Sequence, residues 1–243
     1  MWLIRIVATV SMLVAAGALA RVEATASEVV SAQSDAGATR SEPESGGENG
    51  DRSMARRAGF GAFLQLGVEH IWTGYDHLLF LLALLVVCRD LRSVLVIVSC
   101  FTVAHSVTLG LATMDWVRLP PKVIEVAIAA SIVLVGVENL WRGGEALRGR
   151  AAVTLIFGLV HGFGFANVLR DFGVGRDGGG IALPLFSFNL GVELGQLAIA
   201  AVVLPIYWQL ARDEQRARAA RKWTSLATVG LGGYWLLERA VGA

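Results

Sequence analysis

Apolar residues in this chain gather into long runs separated by short polar stretches, and each run approaches the length of about 20 residues that a helix needs to cross hydrocarbon. Six runs follow one another, at approximately Phe60–Val87, Ser93–Met114, Pro121–Trp141, Ala151–Asp171, Ile181–Leu210 and Trp223–Val241. The pattern predicts an all-α polytopic membrane protein, a bundle of about six transmembrane helices. The first run is unusually long and is interrupted at Thr73-Gly74, so the first span is expected to be broken there. Broken helices at membrane depth are tolerated where they line a polar cavity. Pro120-Pro121 opens the third run, where proline suits a first helical turn, and Pro184 and Pro205 bracket the fifth.

Upstream of these runs the pattern changes twice. Residues 1–20 combine Arg5, a short apolar stretch and the small-residue ending Ala18-Leu19-Ala20, which predicts a signal peptide cleaved after Ala20. Residues 21–58 are rich in Ala, Ser, Gly and Glu and hold almost no large apolar side chains, so they are expected to form a disordered extracytoplasmic arm. The transmembrane domain then occupies residues 59–243. Charge sets its orientation: Arg89–Arg92, Arg142–Arg150 and Arg212–Lys222 carry two, three and five basic residues, against Arg118 with Lys122 and Arg170 with Arg176 on the alternate connections. The excess assigns the first set to the cytoplasm, which agrees with an exported N-terminus followed by six spans.

Composition changes the picture little. With 55% hydrophobic residues, 17% charged residues and a net charge of +1, the chain suits a lipid bilayer, as a polytopic membrane protein, and not nucleic acid. Cys88 and Cys100 form no CxxC pair and read as small apolar packing residues.

The candidate chemistry lies in the polar residues inside the apolar runs. All four histidines are there: His70 and His77 in the first, His105 in the second and His161 in the fourth. An ionisable group at membrane depth is costly unless it is paired or faces a polar cavity, and so marks a functional site. His70 and His77 are seven residues apart and would share a face of a continuous helix, with His70 expected to stand apart toward the extracytoplasmic mouth. Asp76 beside His77 would co-ligate a cation or hold an imidazole tautomer; its alternative role is to cap the helix that follows. Asn189, Glu193 and Gln196 line one face of the fifth run, and Ser131 and Glu138-Asn139 repeat a seven-residue spacing in the third. Asp76, His77, His105, His161 and Glu193 are expected to converge on one interior cavity, with Asn189 and Glu138 as further candidates. Imidazole with carboxylate suits a borderline divalent metal ion such as nickel, cobalt or zinc, and no thiolate or methionine cluster points to copper(I).

These motifs resemble the HupE/UreJ family, membrane accessory proteins of nickel hydrogenases and ureases regarded as nickel or cobalt permeases. The resemblance runs from about Gly59 to Val241 and rests on His70-Ile-Trp-Thr-Gly-Tyr-Asp76-His77-Leu-Leu-Phe, Phe101-Thr-Val-Ala-His105-Ser-Val-Thr-Leu, Glu138-Asn139, Gly158-Leu-Val-His161-Gly-Phe-Gly-Phe and Phe188-Asn189-Leu-Gly-Val-Glu193-Leu-Gly-Gln196. The family's His-x5-Asp-His signature, associated with metal passage, maps onto His70, Asp76 and His77; the proline that usually follows the first histidine is replaced here by Ile71-Trp72. The resemblance implies metal ions as cargo and maturation proteins of nickel enzymes as partners.

The leading expectation is a permease for a divalent transition metal, nickel first and cobalt second. His70 would receive the ion, Asp76 and His77 would carry it inward, and His105, His161 and Glu193 would form or relay a midplane site. Ligands of moderate strength suit passage, because the ion must also leave. Two alternatives stand beside it. Three histidines and a carboxylate can hold zinc with an open water position, as in an intramembrane zinc-dependent hydrolase. A non-transporting accessory protein that delivers metal to a partner would need the same ligands.

Overall fold

The computed structural model describes residues 59–142, 147–175 and 180–242, and among them there is no strand. The expected signal peptide and arm lie outside the described residues. The helices are α1 (Phe60–Thr73), α2 (Tyr75–Leu85), α3 (Leu91–Thr113), α4 (Pro121–Arg142), α5 (Leu147–His161), α6 (Ala166–Asp171), α7 (Ala182–Leu210) and α8 (Glu214–Val241); a 3-10 turn, Gly162–Phe165, joins α5 to α6.

Each apolar run thus folds as helix, but the runs are not equal. Four stretches, Leu91–Thr113, Pro121–Trp141, Gly149–Asp171 and Ala182–Leu210, are long and apolar enough to cross a membrane by length and composition. The first run is split: Gly74, at φ −76° and ψ 92°, leaves the helical region and separates the 14 residues of α1 from the 11 of α2. The last helix is long, at 28 residues, yet Trp, Tyr, Gly and Thr together with Glu238 and Arg239 lower its hydropathy. It also begins well before Trp223, because Asp213 accepts from the backbone N–H groups of Gln215 and Arg216 and so starts the helix inside the basic connection. Asp90 starts α3 in the same way, through Ser93.

Helices pack chiefly as three pairs, α1 with α7, α4 with α8 and α3 with α5, while α3 also meets α7 and α2 meets α4. Small residues permit the tightest crossing. A Cβ placed on Gly67 of α1 would lie 2.0 Å from the Phe188 carbonyl oxygen, and one on Gly191 of α7 would lie 2.0 Å from that of Leu64, so the two backbones touch at a point only glycine allows. Two apolar clusters result. One holds Phe80, Leu84, Ile97, Phe101, Ile132 and Leu204; the other holds Phe63, Ile71, Leu109, Leu169, Phe188 and Val192. The buried histidines lie against phenylalanines of both clusters.

Candidate metal centre

The break at Gly74 shapes the first half of the site. Its N–H donates to the His70 carbonyl at 3.0 Å, which closes α1, and α2 starts at the next residue. A Cβ on Gly74 would sit 2.7 Å from the His70 carbonyl oxygen and 2.9 Å from His77 Nδ1. Only glycine therefore lets the two histidines approach this closely, and their ring centroids are 4.5 Å apart. This corrects the expectation that His70 stands apart near the mouth: interruption of the helix draws it inward against His77.

His105 and His161 complete the cluster from α3 and α5. Ring centroids are 6.0 Å apart for His70 and His105, 6.3 Å for His77 and His105, and 4.9 Å for His77 and His161. One ring nitrogen from each of His70, His77 and His105 lies within 4.8 Å of the other two. A tetrahedral ion with bonds of about 2.0–2.1 Å places its ligands about 3.3 Å apart, so small side-chain shifts would close this group on a metal. Phe80, Phe101, Phe165 and Phe188 surround the imidazoles, with Phe165 4.3 Å from the His70 ring and Phe80 5.0 Å from that of His161.

Two hydrogen bonds set the tautomers. Asn189 Nδ2 donates to the Leu185 carbonyl at 2.8 Å, which leaves Oδ1 as the acceptor facing His105 Nδ1 at 3.1 Å. His105 therefore carries its proton on Nδ1 and a lone pair on Nε2. Ser131 Oγ donates to the Ile128 carbonyl at 2.7 Å and lies 3.0 Å from His161 Nε2, so its oxygen accepts from Nε2–H and the His161 lone pair falls on Nδ1. These two nitrogens, with Nε2 of His70 and of His77, are buried and make no hydrogen bond. Buried polar atoms are normally satisfied. Of these four imidazoles, those of His70, His77 and His105 form the group whose ring nitrogens lie close enough to suit a metal ion, and His161 stands outside it, beside His77.

The other candidates lie elsewhere. No carboxylate belongs to the imidazole group among the described residues. Asp76 lies in the first turn of α2 without capping it, since Gly74 holds the N-cap position, and both its oxygens accept from Arg239 Nη2, at 3.2 and 2.9 Å. The alternative role as a helix cap is not what Asp76 performs, because the helix starts one residue before it. Glu193 accepts from Ser99 Oγ at 2.8 Å, and Thr102 Oγ1 donates to Gln196 at 3.2 Å. With His105 and Asn189 these pairs make a polar ladder between α3 and α7. Glu138 is partly buried near the far end of α4. Beside it Asn139 donates to the Ala83 carbonyl at 2.7 Å and accepts from Arg150.

Sequence reasoning missed three features. Arg150 had been counted among loop charges but is buried. Arg239 lies in the last turn of α8, where a cation among apolar side chains calls for a counter-ion. A cavity of about 710 Å³ lies between the end of α3 and α6, lined by Thr113, Asp115, Arg118, Phe163, Asn167 and Arg170. Asp115, in the left-handed region at φ 65°, accepts there from Arg118 and Arg170. The 3-10 turn connects cavity and site: Phe163 lines one and Phe165 packs on the other.

Neither a curated protein nor a solved structure matches the chain. A family model does, and it takes in every element that carries the histidines, the polar ladder and Arg239. With residues 48–239 matching the model described as HupE / UreJ protein, the chain belongs to the HupE/UreJ family.

Proposed function

We propose that this chain is a permease for a divalent transition metal, with nickel as the preferred cargo and cobalt next, and that His70, His77, His105 and His161 hold the ion in transit. The observation that carries this reading is the set of four buried imidazole nitrogens without hydrogen-bond partners, two of them with their tautomer set by Asn189 and Ser131. Neutral nitrogen ligands suit nickel, cobalt and zinc, and their moderate strength suits an ion that must move on. The cavity at Asp115 and Arg170 would be the extracytoplasmic mouth, and the ladder through Gln196 and Glu193 the continuation toward the cytoplasm. Membership of a family associated with hydrogenase and urease maturation supports placing the protein in the bacterial inner membrane, as a multi-pass protein with its N-terminal arm outside, supplying metal for nickel-enzyme maturation proteins.

A zinc hydrolase at the same histidines would need a carboxylate or hydroxyl free to act as base beside the metal. Of the two groups that could serve, Glu193 accepts from Ser99 and lies outside the imidazole group, and Ser106 donates to the Thr102 carbonyl, so transport is the better reading. Uptake into proteoliposomes, with nickel, cobalt and zinc in competition, tests it. Saturable nickel uptake that is lost in His105→Ala and His161→Ala is the expected result. Tight nickel binding without uptake would instead make the protein a metal-delivery accessory.

A further inference from the structure

Arg239 is held at three points. Its Nη2 bridges both oxygens of Asp76, its Nη1 donates to the Glu125 carbonyl at 3.3 Å, and its guanidinium lies 5.9 Å from the centre of the Trp235 ring. The pair is mostly buried, at 22% and 21% side-chain exposure, and joins residues 163 apart in the chain. Nearby, Lys122 Nζ donates to the Gly242 carbonyl at 3.1 Å, so the end of α8 is tied a second time to the start of α4. Asp76 immediately precedes His77, and successive helical side chains diverge by about 100°. When Asp76 faces α8, His77 is turned toward the imidazoles. A charge pair removed from water has few alternative geometries, because either partner alone would be left uncompensated.

We propose that Arg239 is a positioning residue for the metal site: by binding Asp76 it fixes the first turn of α2 and thereby the direction of the His77 ring, and Asp76 serves as its counter-ion and not as a metal ligand. This rests on the proposed function, since it presumes that the imidazoles bind metal. It also separates two roles that the adjacency of Asp76 and His77 leaves merged. A ligand contributes electrons to the ion and changes its spectrum. A counter-ion changes only how readily the ligands assemble.

Cobalt(II) titration of the purified full-length protein, followed by the ligand-field absorption of the bound ion, tests the assignment. Asp76→Asn and Arg239→Gln are each expected to weaken binding by about 10–100-fold, the range seen when support around a metal ligand is lost. The double variant should bind no more weakly than either single variant, because both remove one interaction. All three should keep the band positions of the wild type, and Arg239→Lys should recover much of the affinity. Tighter binding in Arg239→Gln, which would mean that arginine competes with the ion for Asp76, would overturn the inference, and so would a shift of the bands in Asp76→Asn alone. Wild-type affinity in Arg239→Gln would also overturn it, leaving the metal site itself intact. A wild-type protein that binds no cobalt or nickel would overturn the proposed function and this inference together.

Discussion

Two neutral side chains decide which nitrogens of this site carry lone pairs. Asn189 and Ser131 each spend their own donor on a backbone carbonyl one turn earlier, so each can offer an imidazole only an acceptor. Asn189→Ala is expected to weaken nickel binding by about 10–100-fold, the usual loss when a partner that orients a ligand is removed. Ser131→Ala should act in the same direction, and isothermal titration with nickel measures both. An unchanged affinity in both would mean that the imidazoles choose their tautomers without help. The sequence marked Asn189 by the polar face it shares with Glu193 and Gln196, and Ser131 by its seven-residue spacing from Glu138; that they act behind the histidines follows from contacts between helices far apart in the chain. His105 lies 84 residues from Asn189, and His161 lies 30 from Ser131.

At the scale of the element, glycine positions that look alike in sequence have opposite expected effects. Gly67→Ala would drive a methyl group into the Phe188 carbonyl and should cost about 1–3 kcal/mol, as over-packing of an interior does. On the same helix Gly61 has nothing within 4 Å of the corresponding position. Gly61→Ala should therefore be neutral or stabilising by up to about 1 kcal/mol, through helix propensity. Thermal unfolding of the two variants in detergent compares them, and equal shifts would refute the α1–α7 crossing. Helix starts carry a pH dependence as well. Backbone N–H groups, from Ser93 onto Asp90 and from Arg216 and Gln215 onto Asp213, hold both carboxyls below their ordinary value of 3.8. Their contribution is complete above that pH and disappears as pH falls through the lowered native values. Amide exchange in the first turns of α3 and α8 should quicken only below about pH 4.

For the whole molecule, the balance of basic residues predicts that Arg89–Arg92, Arg142–Arg150 and Arg212–Lys222 face the cytoplasm. Reporter fusions at Arg148 and Asp177 are expected to show opposite sidedness, and the same sidedness at both would refute the six-span arrangement. Deletion of residues 21–58 should leave nickel uptake intact, because they hold few large apolar side chains and neither histidine nor cysteine. Loss of uptake with normal membrane insertion would assign metal capture to that arm.

Hydropathy determined that residues 59–242 are mainly helical wherever the structure describes them and roughly where the helices run, and Thr73-Gly74 marked the interruption of the first, because an apolar stretch of that length has few other ways to satisfy its backbone. The same periodicity singled out the histidines, since ionisable groups are conspicuous among leucines. Which of those polar residues meet was decided only by tertiary structure. Helical spacing defines a face but not the neighbour that the face receives. The kink at Gly74 brought His70 into the cluster, Arg239 took Asp76 and Ser99 took Glu193. The last two pairings join residues 163 and 94 apart and depend on the packing of whole helices against one another, which no local pattern encodes.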